Sequence, residues 1–421
     1  MIASIDSICQ VIQGQSPPGD TYNSEGDGLP FFQGKAEFGP LYPIAVKWCR
    51  APAKIADVDD VLLSVRAPVG PTNLANVRCC IGRGLAAIHS PKEISTRYVL
   101  YALRASASSL RSQATGSTFE AVSGDAVRNH AIALAPGPEQ RRVVAELEKQ
   151  FTRLDAAVTA LKRVKANLKR YRTAVLKTAG EGHEGSAKVS EILAEPLING
   201  RSVPDRGGGF PVLRLTCLRN GRIDFSETKE GAWTASEARR FLVHEGDFLI
   251  ARGNGSIRLV GRGGLVDRVD REVAFPDTLI RLRVDLRRIS QRFLGIVWAA
   301  PRIRNQIESV ARTTAGIFKI NQHDIESIRL PIPSLEEQHR IVEEVERRLS
   351  VVDELEATVE KNLARCARLR QAIFKLAFEG RLVPQDPNDE PASVLLDRIR
   401  KERETVAAAG PNRKRQKAAR A

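Results

Sequence analysis

The chain has 421 residues, more than one ordinary compact core holds, and 42% are hydrophobic, which excludes wholesale disorder. Lys and Arg number 65 against 50 acids, a formal charge of +15, and an excess of that size suits a polyanionic partner such as nucleic acid. No apolar run approaches the roughly 18–20 residues of a membrane span, and Met1 to Asp6 lack the basic-then-apolar pattern of a secretory signal, so a cytoplasmic protein is expected.

Residues 1–136 read as a mixed globular unit. The run Val61-Leu-Leu-Ser-Val65 reads as a strand, Asp59-Asp60 as the turn before it, and Ile94–Leu110 as a helix. Pro17-Pro-Gly19 marks a turn.

Residues 137–182 form the first long helix by period. Val144, Leu147, Phe151, Leu154, Val158 and Leu161 alternate at three and four, and Leu168 and Val175 continue the seam for about five heptads. Pro138 stands at its start, where proline is tolerated, and Gly182 stands where a C-cap is expected.

Residues 183–333 read as a second mixed unit, with strands at Phe248-Leu-Ile250 and Thr278–Leu282, a turn at Gly207-Gly-Gly209 and a helix at Leu286–Val310. Its opening echoes the first unit. Ile198-Asn-Gly200-Arg-Ser202-Val-Pro204 matches Ile12-Gln-Gly14-Gln-Ser16-Pro-Pro18, Asp247–Ala251 matches Asp60–Ser64, and Thr314–Phe318 loosely matches Thr115–Phe119.

Residues 334–380 repeat the long helix. Glu337-Gln338-His339-Arg340-Ile341-Val342 falls on Glu139-Gln140-Arg141-Arg142-Val143-Val144 at an offset of 198 residues, kept without a gap to Gly182 and Gly380. Its seam is Val342, Val345, Leu349, Val352, Val359, Leu363, Cys366 and Ile373, with Glu356 at one seam position. About 40 helical residues make a rod of roughly 60 Å. A seam on each rod implies a partner. The economical choice is the other copy; the alternative is separate docking on each rod's own globular unit or on another chain. Residues 381–421 read as a basic tail: from Pro391 nine Lys and Arg face three acids, and the end, with Asn412-Arg-Lys-Arg-Gln-Lys, reads as a solvated extension.

No catalytic group is nominated. An adenine methyltransferase needs an Asn/Asp-Pro-Pro-aromatic loop, and Ser16-Pro17-Pro18-Gly19 is not one. A motor needs GxxxxGK[ST], and Gly34-Lys35 is followed by Ala36. The GxG pairs at Gly82–Gly84 and Gly253–Gly255 read as turns. The six histidines are scattered, and the six cysteines lack CxxC or zinc spacing and read as reduced, mostly buried thiols, so no metal is expected.

Taken with the duplication, the sequence resembles the specificity (S) subunits of type I restriction–modification enzymes. The resemblance is carried by Pro136-Gly-Pro-Glu139-Gln140 and Pro333-Ser-Leu-Glu-Glu337-Gln338 opening the long helices, with Ser64-Val-Arg66-Ala-Pro-Val-Gly70 and Thr115-Gly-Ser-Thr118 in the first unit. It implies an α+β chain of two target-recognition domains, 1–136 and 183–333, separated by two long helices packed as an antiparallel coiled coil in a pseudo-twofold repeat. It implies double-stranded DNA as ligand, an asymmetric bipartite target, and two kinds of partner: methyltransferase subunits and a motor–nuclease restriction subunit. S-adenosylmethionine, Mg and ATP would sit on those partners and no cofactor on this chain. Phosphates are met by Lys and Arg, and base edges by Arg, Asn and Gln at strand ends. On that chemistry Lys35, Arg66, Asn73 and Arg83 are candidates in the first unit, and Arg214, Arg219, Asn220, Arg252, Asn254 and Arg258 in the second, Arg66 and Arg252 foremost. Two other readings stay open: an orphan DNA-binding regulator of the same architecture, and a coiled-coil scaffold.

Overall fold

The computed structural model describes residues 1–116, 120–181, 185–314 and 316–408. It mixes helix and strand and divides into two compact units, Met1–Ala160 with Asn362–Ala421, and Leu161–Lys361. Long helices run Gly137–Ala179 and Leu335–Phe378.

In the first unit an antiparallel sheet has the order Gln10–Gln13, Leu85–His89, Val61–Ser64, Thr72–Leu74. The unbroken apolar run of Val61–Leu63 follows from burial on both faces. Val61 and Leu63 face one core with Ile88, Val99 and Leu103, and Leu62 faces another with Phe32, Ile81 and Leu85. A second, five-stranded sheet carries the parallel pair Leu29–Phe32 and Cys79–Ile81. The helix expected over Ile94–Leu110 is two, Thr96–Ala105 and Ala107–Arg111, broken at Ser106, whose hydroxyl bonds back to the Ala102 carbonyl.

The second unit repeats the two-sided burial. Phe248 and Ile250 face a core with Val297 and Trp298, while Leu249 faces Leu213 and Phe275. Its six-stranded sheet has the order Ile198–Asn199, Leu279–Leu282, Phe248–Ala251, Gly263–Leu265, Arg222–Ile223, Leu218–Arg219. The helix expected at Leu286–Val310 begins only at Gln291, capped by Ser290, and splits into Gln291–Trp298 and Pro301–Val310, because Pro301 has no N–H to give and forces Ala300 into extended backbone. Gly207–Gly209 is not a simple turn: it is an irregularity inside the strand Asp205–Leu213, with Gly208 at φ +73°.

The Glu-Gln pairs at the helix starts have a physical cause. The Gln140 side chain is fully buried; its Oε1 accepts from Ser95 N at 2.9 Å and its Nε2 donates to the Ala135 carbonyl at 2.8 Å. Gln338 does the same in its unit, accepting from Ser290 N at 2.8 Å and donating to the Pro333 and Arg288 carbonyls. Ser95 and Ser290 are the N-caps of Thr96–Ala105 and Gln291–Trp298. Each glutamine therefore clamps a long helix to a globular helix of its own unit.

Seam residues are buried or half-buried along both helices. In the first unit Val144, Leu147 and Phe151 pack with Tyr98, Tyr101, Phe374 and Ala377, the Phe151 and Phe374 rings lying 4.8 Å apart. Arg370 covers the Phe151 ring and pairs with Asp155. In the second unit Val175 and Ala179 share a core with Val342 and Val345. Glu356, at its seam position, accepts from Arg172 at 3.1 Å, and Arg172 also pairs with Asp353. The second helix ends as expected: Gly380 has φ +73°, and Arg381 N donates to the Leu376 carbonyl at 2.8 Å. Gly182, Thr118 and Phe119 lie outside the described residues.

The tail needs correction. Ala392–Ala408 is a helix whose Leu395, Leu396 and Ile399 are buried in the first unit's core with Ile5 and Ile8. Asp389 pairs with Arg142, and Arg403 reaches the Asp6 carbonyl. An arginine-rich segment was read by its charge, while its three apolar residues on one face place it on the fold. The Asn412 to Lys417 run lies outside the described residues.

Two outcomes follow from these contacts. Gln338→Leu leaves the Ser290 N–H and two carbonyls without their partner, so the second unit should lose about 1–3 kcal/mol. An unmoved urea midpoint would reject the clamp. The second concerns His130, buried beside Ser106 with Nε2 2.8 Å from Oγ. The Ser106 hydroxyl already donates to Ala102, so the ring donates and carries its proton on Nε2. Burial pushes its pKa below the ordinary 6.5. The unfolded chain then binds the proton more readily, and the stability from a neutral His130 is present above pH 6.5 and lost as pH falls below it. Thermal melts should show this loss in the native protein and a shallower one in His130→Gln; equal slopes would overturn the assignment.

Candidate nucleic-acid interface

In the first unit, sheet pairing brings several strand ends to one edge. Gln13 lies opposite Ala86, Ser64 lies opposite Leu85, and Phe32 and Ile81 end side by side on parallel strands. The connections that leave this edge are stitched together. Gly14 N donates to the Leu85 carbonyl at 2.9 Å, Gln15 N to Ile81 at 3.0 Å, Gly82 N to Phe32 at 2.8 Å and Val65 N to Gly84 at 2.9 Å. Glycine is required at the crossings: a Cβ on Gly14 would sit 2.1 Å from the Gly82 oxygen, and one on Gly84 2.2 Å from the Gln33 oxygen.

Lys35, Arg66 and Arg83 ride on these connections. All three are exposed, and none of the side chains enters an ion pair or hydrogen bond among the described residues. Three unneutralised cations at one glycine-lined edge can hold the phosphates of a nucleic acid. Asn73 is a correction. It is 1% exposed in the strand Thr72–Leu74, and its Nδ2 donates to the Gly39 and Thr72 carbonyls. A side chain held there braces the sheet and cannot reach a base.

The second unit builds a comparable edge. Asn199 lies opposite Ile280 and Ala251 opposite Leu279; Gly200 N donates to the Leu279 carbonyl at 3.1 Å and Arg252 N to Thr278 at 2.8 Å. Arg252 is half-buried with its guanidinium unpaired among the described residues. Gly253 and Asn254, next in the chain, pair with Lys319 and Phe318. Asn254 Oδ1 caps Ser256 N at 3.0 Å, and Arg258 stands exposed on the turn Ile257–Leu259.

The other candidates are elsewhere. Arg219 and Asn220 belong to the opposite edge of the six-stranded sheet. Arg219 is held by Asp224 at 3.4 Å and Glu227 at 2.5 Å, so its charge is met locally. Arg214 donates to the Thr228 carbonyl at 3.1 Å, with Asp205 3.9 Å away. Asn220 is exposed at a turn with φ +50°. The structure therefore gathers Arg252, Asn254 and Arg258 and leaves Arg214, Arg219 and Asn220 apart. The sequence reading passed over Gln15 and Arg201, which directly follow the packed glycines and are exposed at the two edges. Their signal was the echoed glycine itself.

Among the described residues no His, Cys, Asp and Glu converge in threes to hold a metal. All six cysteines are free and buried, and burial pushes the thiols of Cys79, Cys80 and Cys217 up to about 12. No described helix is long and apolar enough to cross a membrane.

Residues 193–365 match a family model described as a type I restriction modification DNA specificity domain. The chain is 30% identical to the type I restriction enzyme EcoKI specificity subunit of Escherichia coli K12 over 310 residues, 68% of this chain and 66% of that one. It is 43% identical over 140 residues, one third of each chain, to the putative type I restriction enzyme MjaX specificity subunit of Methanocaldococcus jannaschii. The fold is similar to the crystal structure of the HsdS subunit from Thermoanaerobacter tengcongensis, with a TM-score of 0.51 and 18% identity over 91% of this chain and 97% of that one. The chain belongs to the family of type I restriction–modification DNA specificity subunits.

The unpaired cations separate from the paired one in solution. Arg66→Ala or Arg252→Ala should weaken duplex DNA binding and lower the slope of log affinity against log salt by about 0.9 each. Arg219→Ala should leave the slope alone. Anisotropy titrations at several salt concentrations check this, and equal slopes for all three variants would contradict the placement.

Proposed function

We propose that this chain is the non-catalytic sequence-reading subunit of a type I restriction–modification complex. Residues 1–136 and 183–333 each read one half of an asymmetric, bipartite duplex target. Residues 137–182 and 334–380 form an antiparallel coiled-coil spacer that completes a pseudo-twofold repeat and docks methyltransferase subunits, with a motor–nuclease subunit joining them. S-adenosylmethionine, Mg and ATP belong to those partners, and the complex works in the cytoplasm.

The observation that carries this reading is the pair of matched edges. Each unit closes a glycine onto a neighbouring strand end and presents different side chains beside it. One frame with two surfaces is what two unlike half-sites require. Pairing of the helices is supported by the edge-to-face Phe151–Phe374 contact in one unit and the Arg172–Glu356 bond in the other. The family match and the unpaired cations favour this reading over a scaffold whose charge serves solubility alone.

Mapping methylated adenines across the genome, with and without the chain, tests it. One bipartite motif with a constant interval should vanish when the chain is removed. A methylation pattern indifferent to the chain, or one whose two parts vary in separation, would overturn the proposal.

A further inference from the structure

Resting on the DNA-reading function above, we infer that Gln15 and Arg201 are equivalent base-reading residues. Gln15 selects an adenine in one half-site, and Arg201 a guanine at the matching position of the other.

The equivalence comes from the backbone. Gln15 follows Gly14 and Arg201 follows Gly200, and each glycine donates its N–H to the first residue of a central strand, Leu85 or Leu279. A Cβ on Gly14 would lie 2.1 Å from the Gly82 carbonyl oxygen, and one on Gly200 2.0 Å from that of Pro276. No other residue passes through either point without moving the backbone, so the direction in which the next residue leaves is fixed alike in both units. A reader fixed by its backbone pays little to be positioned.

The side chains are free for the task. Gln15 and Arg201 are exposed, and neither makes a side-chain hydrogen bond or ion pair among the described residues. One residue ahead of each glycine stand two further polar atoms, Gln13 Nε2 and Asn199 Oδ1, buried without a hydrogen-bond partner among those residues. Polar groups kept at matching points, where apolar ones would cost less, mark the same place in both units. The unpaired Arg66 and Arg83 in one unit and Arg252 in the other supply phosphate contacts beside the reader. A glutamine amide makes a bidentate pair with adenine N6 and N7, and a guanidinium with guanine O6 and N7. The two readers therefore ask for different purines from one position.

The test uses the full chain, captured from cells with whatever subunits accompany it. It is mixed with a randomised duplex library, and the bound fraction is sequenced. Gln15→Arg should change one position of one half-site from adenine to guanine, by roughly tenfold in enrichment, and leave the other half unaltered. Arg201→Gln should make the reverse change in the other half only. Binding with unchanged preferences in both variants overturns the assignment, as does a single substitution that alters both halves. If one variant fails to fold, the other decides by the same criterion. A native chain that enriches no sequence sinks the DNA-reading function itself, a result distinct from failure of these two residues.

Discussion

The fold rests on two buried amides. Gln140 and Gln338 each satisfy the N-terminal N–H of a globular helix with one atom and a carbonyl ahead of a long helix with the other. A buried amide is tolerated only when both ends find partners, since each orphaned group costs about 1–3 kcal/mol. That demand admits one geometry, so a long helix leaves its globular unit in a set direction. Glutamate is nearly isosteric but would bring a buried charge with no proton to donate. The neighbouring acids differ in consequence. Glu139 is 7% exposed with its pKa raised by burial, whereas Glu337 stays partly exposed and pairs with Arg340.

A second matched device holds the central strands. Asp60 accepts from Asp57 N at 2.8 Å and lies 2.7 Å from His89 Nδ1; Asp247 accepts from His244 N at 2.9 Å and pairs with Arg283. Both carboxylates are 1% exposed. The local turn is the same and the distant partner has changed from histidine to arginine. The backbone bond is fixed by the turn, while the second bond asks only for a donor at the end of the adjoining strand.

Much of this was legible in the sequence because period and repetition encode it. The heptad seams place both long helices, and the Asp-to-Ser and Asp-to-Ala echoes place strands buried on both faces. The clamp was visible as a repeated Glu-Gln but not as a bond, because its partners Ser95 and Ser290 lie far from it in the chain. Charge misled where tertiary contact decides. Arg219 looked like a free cation and is held by two carboxylates, and Asn73 looked like a reader and braces a sheet. The Ala392–Ala408 helix was hidden because three buried apolar residues do not outweigh its arginines in composition, although they suffice once a complementary face is present.

Glu356 shows why a polar residue survives in an apolar seam. Its carboxylate meets Arg172, which also holds Asp353, so the charge is shared within one bonded group instead of being buried alone. Such a pair adds little net stability, because desolvation offsets most of the attraction. Its effect falls on alternatives: sliding one helix along the other would strand Glu356 against apolar side chains and remove both partners of Arg172. A polar group at a core position is known to specify register at a cost in stability. On the proposed function, in which the two helices space the readers, register is worth more than the stability that a leucine at that position would add.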